Sequence, residues 1–231
     1  MKIGIFTDSH YSSAGVTCGK RYNNQSLRKI REAYDFFKKE GCSLIVCLGD
    51  LLDTELTVEK ELQNLTEIAE ILQKSSIPTV CLMGNHDAFT LPKNQFYDVL
   101  GISCVDELHL EGRILLFLDA CHFKDGRHYS PGDRDWTDCF LPDENGLREK
   151  LSSTTQDTFI FLHQNIDPSV KANHRLYNAD RIFSIIRESG AVKAVFQGHY
   201  HPGCNSEYNG VSYVTVPAMC EGEERFFVYD I

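Results

Sequence analysis

Long hydrophobic runs are missing from this chain. No stretch of its 231 residues reaches the roughly 18 to 20 uninterrupted apolar residues that cross a bilayer, and the longest candidates, such as Ile114 to Ala120, have strand length. The start, Met1-Lys2-Ile3-Gly4-Ile5-Phe6-Thr7-Asp8, meets an acid before it can build the apolar region of a secretory leader. The expectation is a cytoplasmic protein with no membrane partner. Paired cysteine motifs are missing too. The nine cysteines, at 18, 42, 47, 81, 104, 121, 139, 204 and 220, are odd in number and contain no C-x-x-C. Most lie in apolar runs such as Leu44-Ile45-Val46-Cys47-Leu48, so they read as reduced, core-filling thiols rather than a disulfide frame or zinc ribbon. Positive charge is in short supply: 23 Lys and Arg against 33 Asp and Glu give a net charge of −10. Such a surface repels a phosphate backbone, which argues against long nucleic acid as a partner. Repeats, low-complexity segments and linkers are absent, and an apolar content of 42% suits one globular domain over residues 1–231.

What is present is an alternation of strand and helix signals. Lys2 to Thr7 reads as a strand running into Asp8-Ser9-His10. Leu27, Ile30, Tyr34 and Phe37 recur at helical spacing and are closed by Gly41. Ser43 to Leu48 is a buried strand, Leu62, Leu65, Ala69 and Leu72 mark a second helix, and Thr79 to Met83 is a third strand. This β-α-β-α-β run predicts parallel pairing with right-handed crossovers. Further strands are expected at Ile102 to Val105, Leu108 to Glu111, Arg113 to Asp119, Thr158 to Leu162, Val192 to Phe196, Val211 to Val216 and Phe226 to Asp230. Short helices are expected at Asp143 to Leu151 and Ala179 to Ser189, and Asp125 to Pro142 reads as a long surface loop.

Residues able to bind metal recur just past these strands: Asp8 and His10, Asp50, Asn85 and His86, His163, then His199 and His201. If the backbone stayed extended, Asp8 and His10 would point to one face. Strand ends are where open α/β sheets bind ligands, so one shared site is expected. Two aspartates, one asparagine and four histidines, leaving His86 aside, supply oxygen and imidazole nitrogen without thiolate, a set suited to Mn, Fe, Zn, Ni or Co. Seven donors are too many for one ion and right for two, provided Asp50 bridges. Two such ions clamp a phosphate and bring a bridging water toward ionisation, so phosphoester hydrolysis by that hydroxide is the chemistry expected.

The segments D8-S-H10, G49-D50-L-L-D53, G84-N85-H86-D87, L162-H163 and G198-H199-Y-H201, in this order, resemble the calcineurin-like metallophosphoesterase superfamily. The resemblance implies a four-layer α/β/β/α sandwich with a dinuclear metal site at the strand C-terminal ends. It implies Asp8, His10, Asp50 and His201 on one divalent ion and Asp50, Asn85, His163 and His199 on the other. Asn85 and His86 would bind the substrate phosphate, with His86 protonating the leaving oxygen and Asp53 orienting His86.

Singly, each of these residues has an ordinary reading as a turn, cap or core residue. Together, five of the nine histidines fall in the motifs, which a structural account does not explain. The other four, His109, His122, His128 and His174, read as surface or local hydrogen-bonding groups, with His122 alone near enough to reach the rim. Trp136, Arg127 and Arg134 either form a substrate-facing lid or pack the long loop on the body. Thr54 stands where phosphoprotein phosphatases of the superfamily carry arginine after G-D-x-x-D, and only 30 residues follow His201. The segment from Trp136 to Leu151 resembles that of single-domain members acting on cyclic nucleotides or nucleotide diphosphates. A small phosphodiester or nucleotide diphosphate is therefore the expected substrate. Phosphomonoesters are the alternative within the same chemistry, and a catalytically silent binding module is the alternative outside it.

Overall fold

The computed structural model describes residues 1–55, 57–223 and 225–231. Its first sheet holds β1 (Lys2–Phe6), β2 (Leu44–Cys47), β3 (Thr79–Cys81) and β10 (Phe226–Asp230) in the order β10-β1-β2-β3. β1, β2 and β3 are parallel, and β10 joins β1 antiparallel. The crossovers are α1 (Ser26–Lys39) and α2 (Val58–Gln73). The second sheet has the order β4-β5-β6-β7-β9-β8, from β4 (Glu107–Leu110), β5 (Arg113–Leu118), β6 (Thr158–Leu162), β7 (Val192–Gln197), β8 (Cys204–Tyr208) and β9 (Val211–Thr215). Its four central strands are parallel and both edges antiparallel. α5 (Glu144–Ser152) and α6 (Ala179–Ser189) belong to this half.

Alternation along the strands builds the four layers. Ile3, Ile5, Leu44, Val46 and Val80 of the first sheet form one buried cluster with Leu115, Phe117, Phe159, Phe161 and Phe196 of the second. On the opposite faces, Phe6, Ile45 and Cys47 join Ile30 and Phe37 of α1 and Leu65 and Ile68 of α2, while Leu116, Ile160 and Val195 join Leu147, Ile182 and Ile186. Burying each such side chain contributes roughly 1.5–3 kcal/mol. Between the sheets, register partners Phe117, Phe161 and Phe196 stack at 5.1 and 5.0 Å. The nine cysteines are free thiols, five of them buried in these layers or beside the loops they support and a sixth, Cys42, at the end of α1.

Four local features differ from expectation. Residues 102–105 are not a strand; among the described residues they have no neighbour to pair with, and they link α4 (Lys93–Leu100) to the edge strand β4. α4 was not expected, although Phe96, Tyr97 and Leu100, all buried, and the stop at Gly101, at φ +67°, carry its signal. β8 is polar and was not expected, yet Asn209-Gly210, at φ +54° and +75°, is the hairpin turn that pairs it with β9. α3 (Asn85–Thr90), also not expected, starts directly at the third motif. Among the described residues no helix is long and apolar enough to cross a membrane.

Candidate metal centre

The C-terminal ends of β1, β2, β3, β6 and β7 converge on one edge of the sandwich, and the loops leaving them are tied to one another. Asp8 N–H donates to the Gly49 carbonyl and His10 N–H to that of Asp50, both at 3.0 Å, and Gly198 N–H donates to the His163 carbonyl at 2.9 Å. Asp87, at the start of α3, accepts from Leu52 N–H and Gly84 N–H, each at 3.0 Å, binding the β2 and β3 loops together. Asp8, His10, Asp50 and His199 all have left-handed backbone, with φ of +52°, +43°, +53° and +64°. For side chains of this kind that conformation costs about 1–2 kcal/mol each and persists only where the surroundings enforce it. The backbone at Asp8 and His10 is therefore not extended, and their side chains converge through these turns instead. Close approach also dictates glycine: a Cβ at Gly84 would collide with Asp50, and one at Gly198 with Thr7 and Asp8.

The side chains meet around the Asp50 carboxylate. Asp50 Oδ2 lies 3.5 Å from His10 Nε2 and 3.3 Å from His163 Nε2. Asp8 Oδ1 lies 3.6 Å from His10 Nε2 and 3.4 Å from His201 Nε2, and the two histidine nitrogens are 3.2 Å apart. His199 joins Asp50 and His163, its ring centroid 5.3 Å from that of His163. Asn85 is 1% exposed and lines the same cleft as Asp50 and His199. Two donors each about 2.1 Å from a shared ion stand about 3.0–3.4 Å apart, close to these separations.

The atoms left without partners support the same fit. Among the described residues Asp8 Oδ1, Asn85 Oδ1 and His163 Nε2 are buried with no hydrogen-bond partner, a costly condition unless a cation completes it. The remaining atoms of these groups are held. Asp8 Oδ2 accepts from Thr7 Oγ1 at 2.7 Å and His199 N–H at 3.0 Å, and Asp50 Oδ1 accepts from His86 N–H at 2.8 Å. His163 Nδ1 is 3.0 Å from the Leu48 carbonyl, an arrangement in which it donates and leaves Nε2 bare. His201 Nδ1 meets Glu221 Oε1 at 2.5 Å, and Lys20 pairs with the other Glu221 oxygen at 3.0 Å. Buried Lys29 donates to the carbonyls of Met219 and Gly222 on either side of Glu221. Carboxylate support of this kind orients a histidine ligand and raises its basicity.

Electrostatics match a cation site. Burial works to raise Asp8, but its contacts with His10 and His201 outweigh it and hold the carboxyl well below the usual range. Burial likewise opposes ionisation of Asp50, and His163 and His86 overcome it. Burial depresses His10 to about 4 and His199 to about 3, which keeps both imidazoles in the neutral form that binds metal. It acts the same way on His163 and His201, but Asp50 lifts the first to about 9 and Asp8 lifts the second, so an ion binding there displaces protons from these two rings.

His86 heads into the cleft with its ring edge-on to His10, centroids 4.6 Å apart. Its Nδ1 is 3.4 Å from Asp53 Oδ1, near enough for electrostatic attraction but not aligned as a hydrogen bond. Asp53 Oδ2 accepts from Thr17 Oγ1 and Asn23 Nδ2, both at 2.8 Å. Arg21 Nη1 stands 3.6 Å from the same oxygen and lines the cleft. Thr54 follows Asp53 in sequence, and the guanidinium beside this carboxylate comes instead from the segment before α1.

The cleft has a volume of about 350 Å³, at the lower end of small-ligand sites. Trp136 and His174 form one wall and Lys171 and Lys20 stand at it. His174, expected as a surface histidine, is therefore a cleft residue. Arg127 instead covers the Phe123 ring and pairs with Asp133, and Arg134 donates to the Phe89 and Asp133 carbonyls, so both pack the loop. His122 turns to Asp119 and His128, away from the cleft.

A carboxylate set between two imidazole groups, at the joined ends of two sheets, defines a protein built for a dinuclear metal site. The sequence model described as calcineurin-like phosphoesterase matches residues 1–203, and the chain belongs to that family of metal-dependent phosphoester hydrolases. It is 32% identical to the 3',5'-cyclic adenosine monophosphate phosphodiesterase CpdA of Haemophilus influenzae over 94% of this chain and 73% of that protein. It is 21% identical to the manganese-dependent ADP-ribose/CDP-alcohol diphosphatase of Oryza sativa, over 95% of this chain and 83% of that one. Among solved structures, a dimetal phosphatase from Danio rerio superposes with a TM-score of 0.82 at 16% identity, covering 99% of this chain and 91% of that one.

Proposed function

We propose that this chain acts as a single domain that hydrolyses small phosphodiesters or nucleotide diphosphates in the cytoplasm, with manganese the first metal to test. The observation that carries the reading is the position of Asp50 Oδ2 between His10 Nε2 and His163 Nε2. It is supported by the similarity to proteins named for cyclic nucleotide and ADP-ribose hydrolysis. In this reading Asp8, His10, Asp50 and His201 hold one divalent ion and Asp50, Asn85, His163 and His199 the other. Two such ions supply charge neutralisation of the phosphoryl group and ionisation of water near neutral pH. The chain supplies the rest. Asn85 and His86 hydrogen-bond the phosphoryl oxygens, Arg21 adds positive charge at the cleft wall, and His86 gives its proton to the leaving oxygen. Asp53 keeps the His86 ring turned toward the cleft. The acidic surface, at a net charge of −10, favours small anions that reach a locally positive centre over polymeric ones.

The test is metal analysis of the purified protein together with a turnover screen. The expected result is two divalent ions per chain and manganese-stimulated hydrolysis of bis-p-nitrophenyl phosphate, cyclic AMP or ADP-ribose above that of p-nitrophenyl phosphate. A protein that takes up no metal and hydrolyses none of these would overturn the reading.

A further inference from the structure

Trp136 and His174 come from two short helical turns, 136–138 and 172–174, far apart in sequence. Their rings lie 5.3 Å apart at an interplanar angle of 31°. Both meet the His199 ring at a steep angle, with centroids 5.4 and 5.8 Å away and interplanar angles of 61° and 62°. The aromatic wall therefore begins where the metal-binding side chains end. Both rings are half-buried and line the open cleft, and Trp136 is anchored from behind by packing against the hydrophobic core. Lys171 sits beside them and makes no ion pair among the described residues, whereas Arg127 and Arg134 of the same loop are engaged in packing.

We propose that the Trp136–His174 pair is a stacking platform for the planar base of a nucleoside-bearing phosphodiester or diphosphate. The inference rests on the phosphohydrolase reading and names the part of the substrate that the phosphate site does not touch. Phosphate recognition by metals, Asn85 and His86 is indifferent to the rest of the substrate. Discrimination needs a second contact, and aromatic side chains offer a base a flat face that is largely insensitive to its identity. The platform adjoins His199, so a base one sugar away from the reacting phosphorus falls over it, and Lys171 lies at hand for further negative charge.

Trp136 is the sole tryptophan of the chain, so its fluorescence reports this wall without interference and without turnover. Titration of the metal-loaded protein with AMP is expected to change Trp136 emission saturably, while ribose 5-phosphate and inorganic phosphate, which share the phosphate but lack the base, change it far less. Equal responses to AMP and ribose 5-phosphate would overturn the platform. In turnover, Trp136→Leu is expected to lower kcat/KM for a nucleotide substrate about 5- to 150-fold more than for a glycerophosphodiester, the range that base–aromatic stacking spans, with Trp136→Phe largely restoring it. Equal losses on both substrates in a protein that still melts cooperatively would assign Trp136 to loop packing and overturn the proposal. A saturable AMP response in a protein that hydrolyses no phosphoester would support the platform and overturn the hydrolase reading, so the two fail separately.

Discussion

Asp50 Oδ2 and His163 Nε2 stand 3.3 Å apart with the histidine nitrogen bare of any other partner among the described residues. The same oxygen reaches His10 Nε2 at 3.5 Å. One carboxylate oxygen thus faces both halves of the centre. Replacing Asp50 with Asn keeps the acceptor for His86 N–H but removes the charge. Metal content of Asp50→Asn should fall from two ions per chain to one or fewer, and turnover more than about 100-fold, beyond the effect of losing a supporting residue. Circular dichroism should be unchanged. Near-wild-type activity of the purified variant would sink the bridging role.

Glu221 acts one step away from the metal site, through His201 Nδ1. Glu221→Gln retains a hydrogen-bond acceptor and loses the charge that makes the imidazole a stronger donor. Affinity for the ion assigned to Asp8, His10, Asp50 and His201 should drop about 10- to 100-fold, read by titration with a competing chelator. An unchanged affinity would show that Glu221 serves only its pairing with Lys20.

The leaving-group dependence isolates His86. A proton donor matters most where the departing oxygen is basic, so His86→Ala should slow alkyl phosphodiesters about 100-fold or more while slowing nitrophenyl esters much less. Equal losses on the two would mean that His86 only binds the phosphate.

Away from the cleft, His128 Nε2 meets Asp119 Oδ2 at 3.2 Å, with Lys93 at 2.6 Å from the same oxygen and His122 packed edge-on. Burial opposes protonation of His128, but the Asp119 contact outweighs it and raises the pKa above 6.5. A raised histidine stabilises the fold fully below the unfolded pKa of about 6.5 and loses that contribution as pH rises through the folded value. With the two side chains 24% and 18% exposed, roughly 1 kcal/mol is at stake. Wild type should exceed His128→Gln in Tm by more at pH 5.5 than at pH 9. A gap independent of pH would rule out the charged pair.

The strand-end motifs were legible because a ligand residue after an apolar run marks the place where a sheet stops and a loop begins. Asp8, Asp50, Asn85, His163 and His199 are all found there, and so the alternating α/β order and the donor set follow from pattern, while the four layers and the allotment of donors to two ions follow from the family resemblance. Position relative to neighbours was less legible. Asp8 and His10 reach one point through left-handed turns rather than an extended backbone, because the neighbouring loops supply the hydrogen bonds that hold those turns. The Asn209-Gly210 hairpin carried a clear local signal, whereas residues 102–105 carried strand character without a partner to realise it.

Sequence alone determined which atoms could bind metal: their identity, order and spacing are properties of the chain, and imidazole and carboxylate chemistry does not wait for folding. Only the tertiary structure decided what surrounds them. Arg21, Lys29, Trp136, His174 and Glu221 lie outside the five motifs, on a helix, short helical turns and loops whose relative placement depends on how two sheets pack. Contacts between segments some 200 residues apart, such as Asp8 Oδ2 with His199 N–H, leave no local periodicity. The same packing separated Trp136, which faces the cleft, from Arg127 and Arg134, which hold its loop to the body.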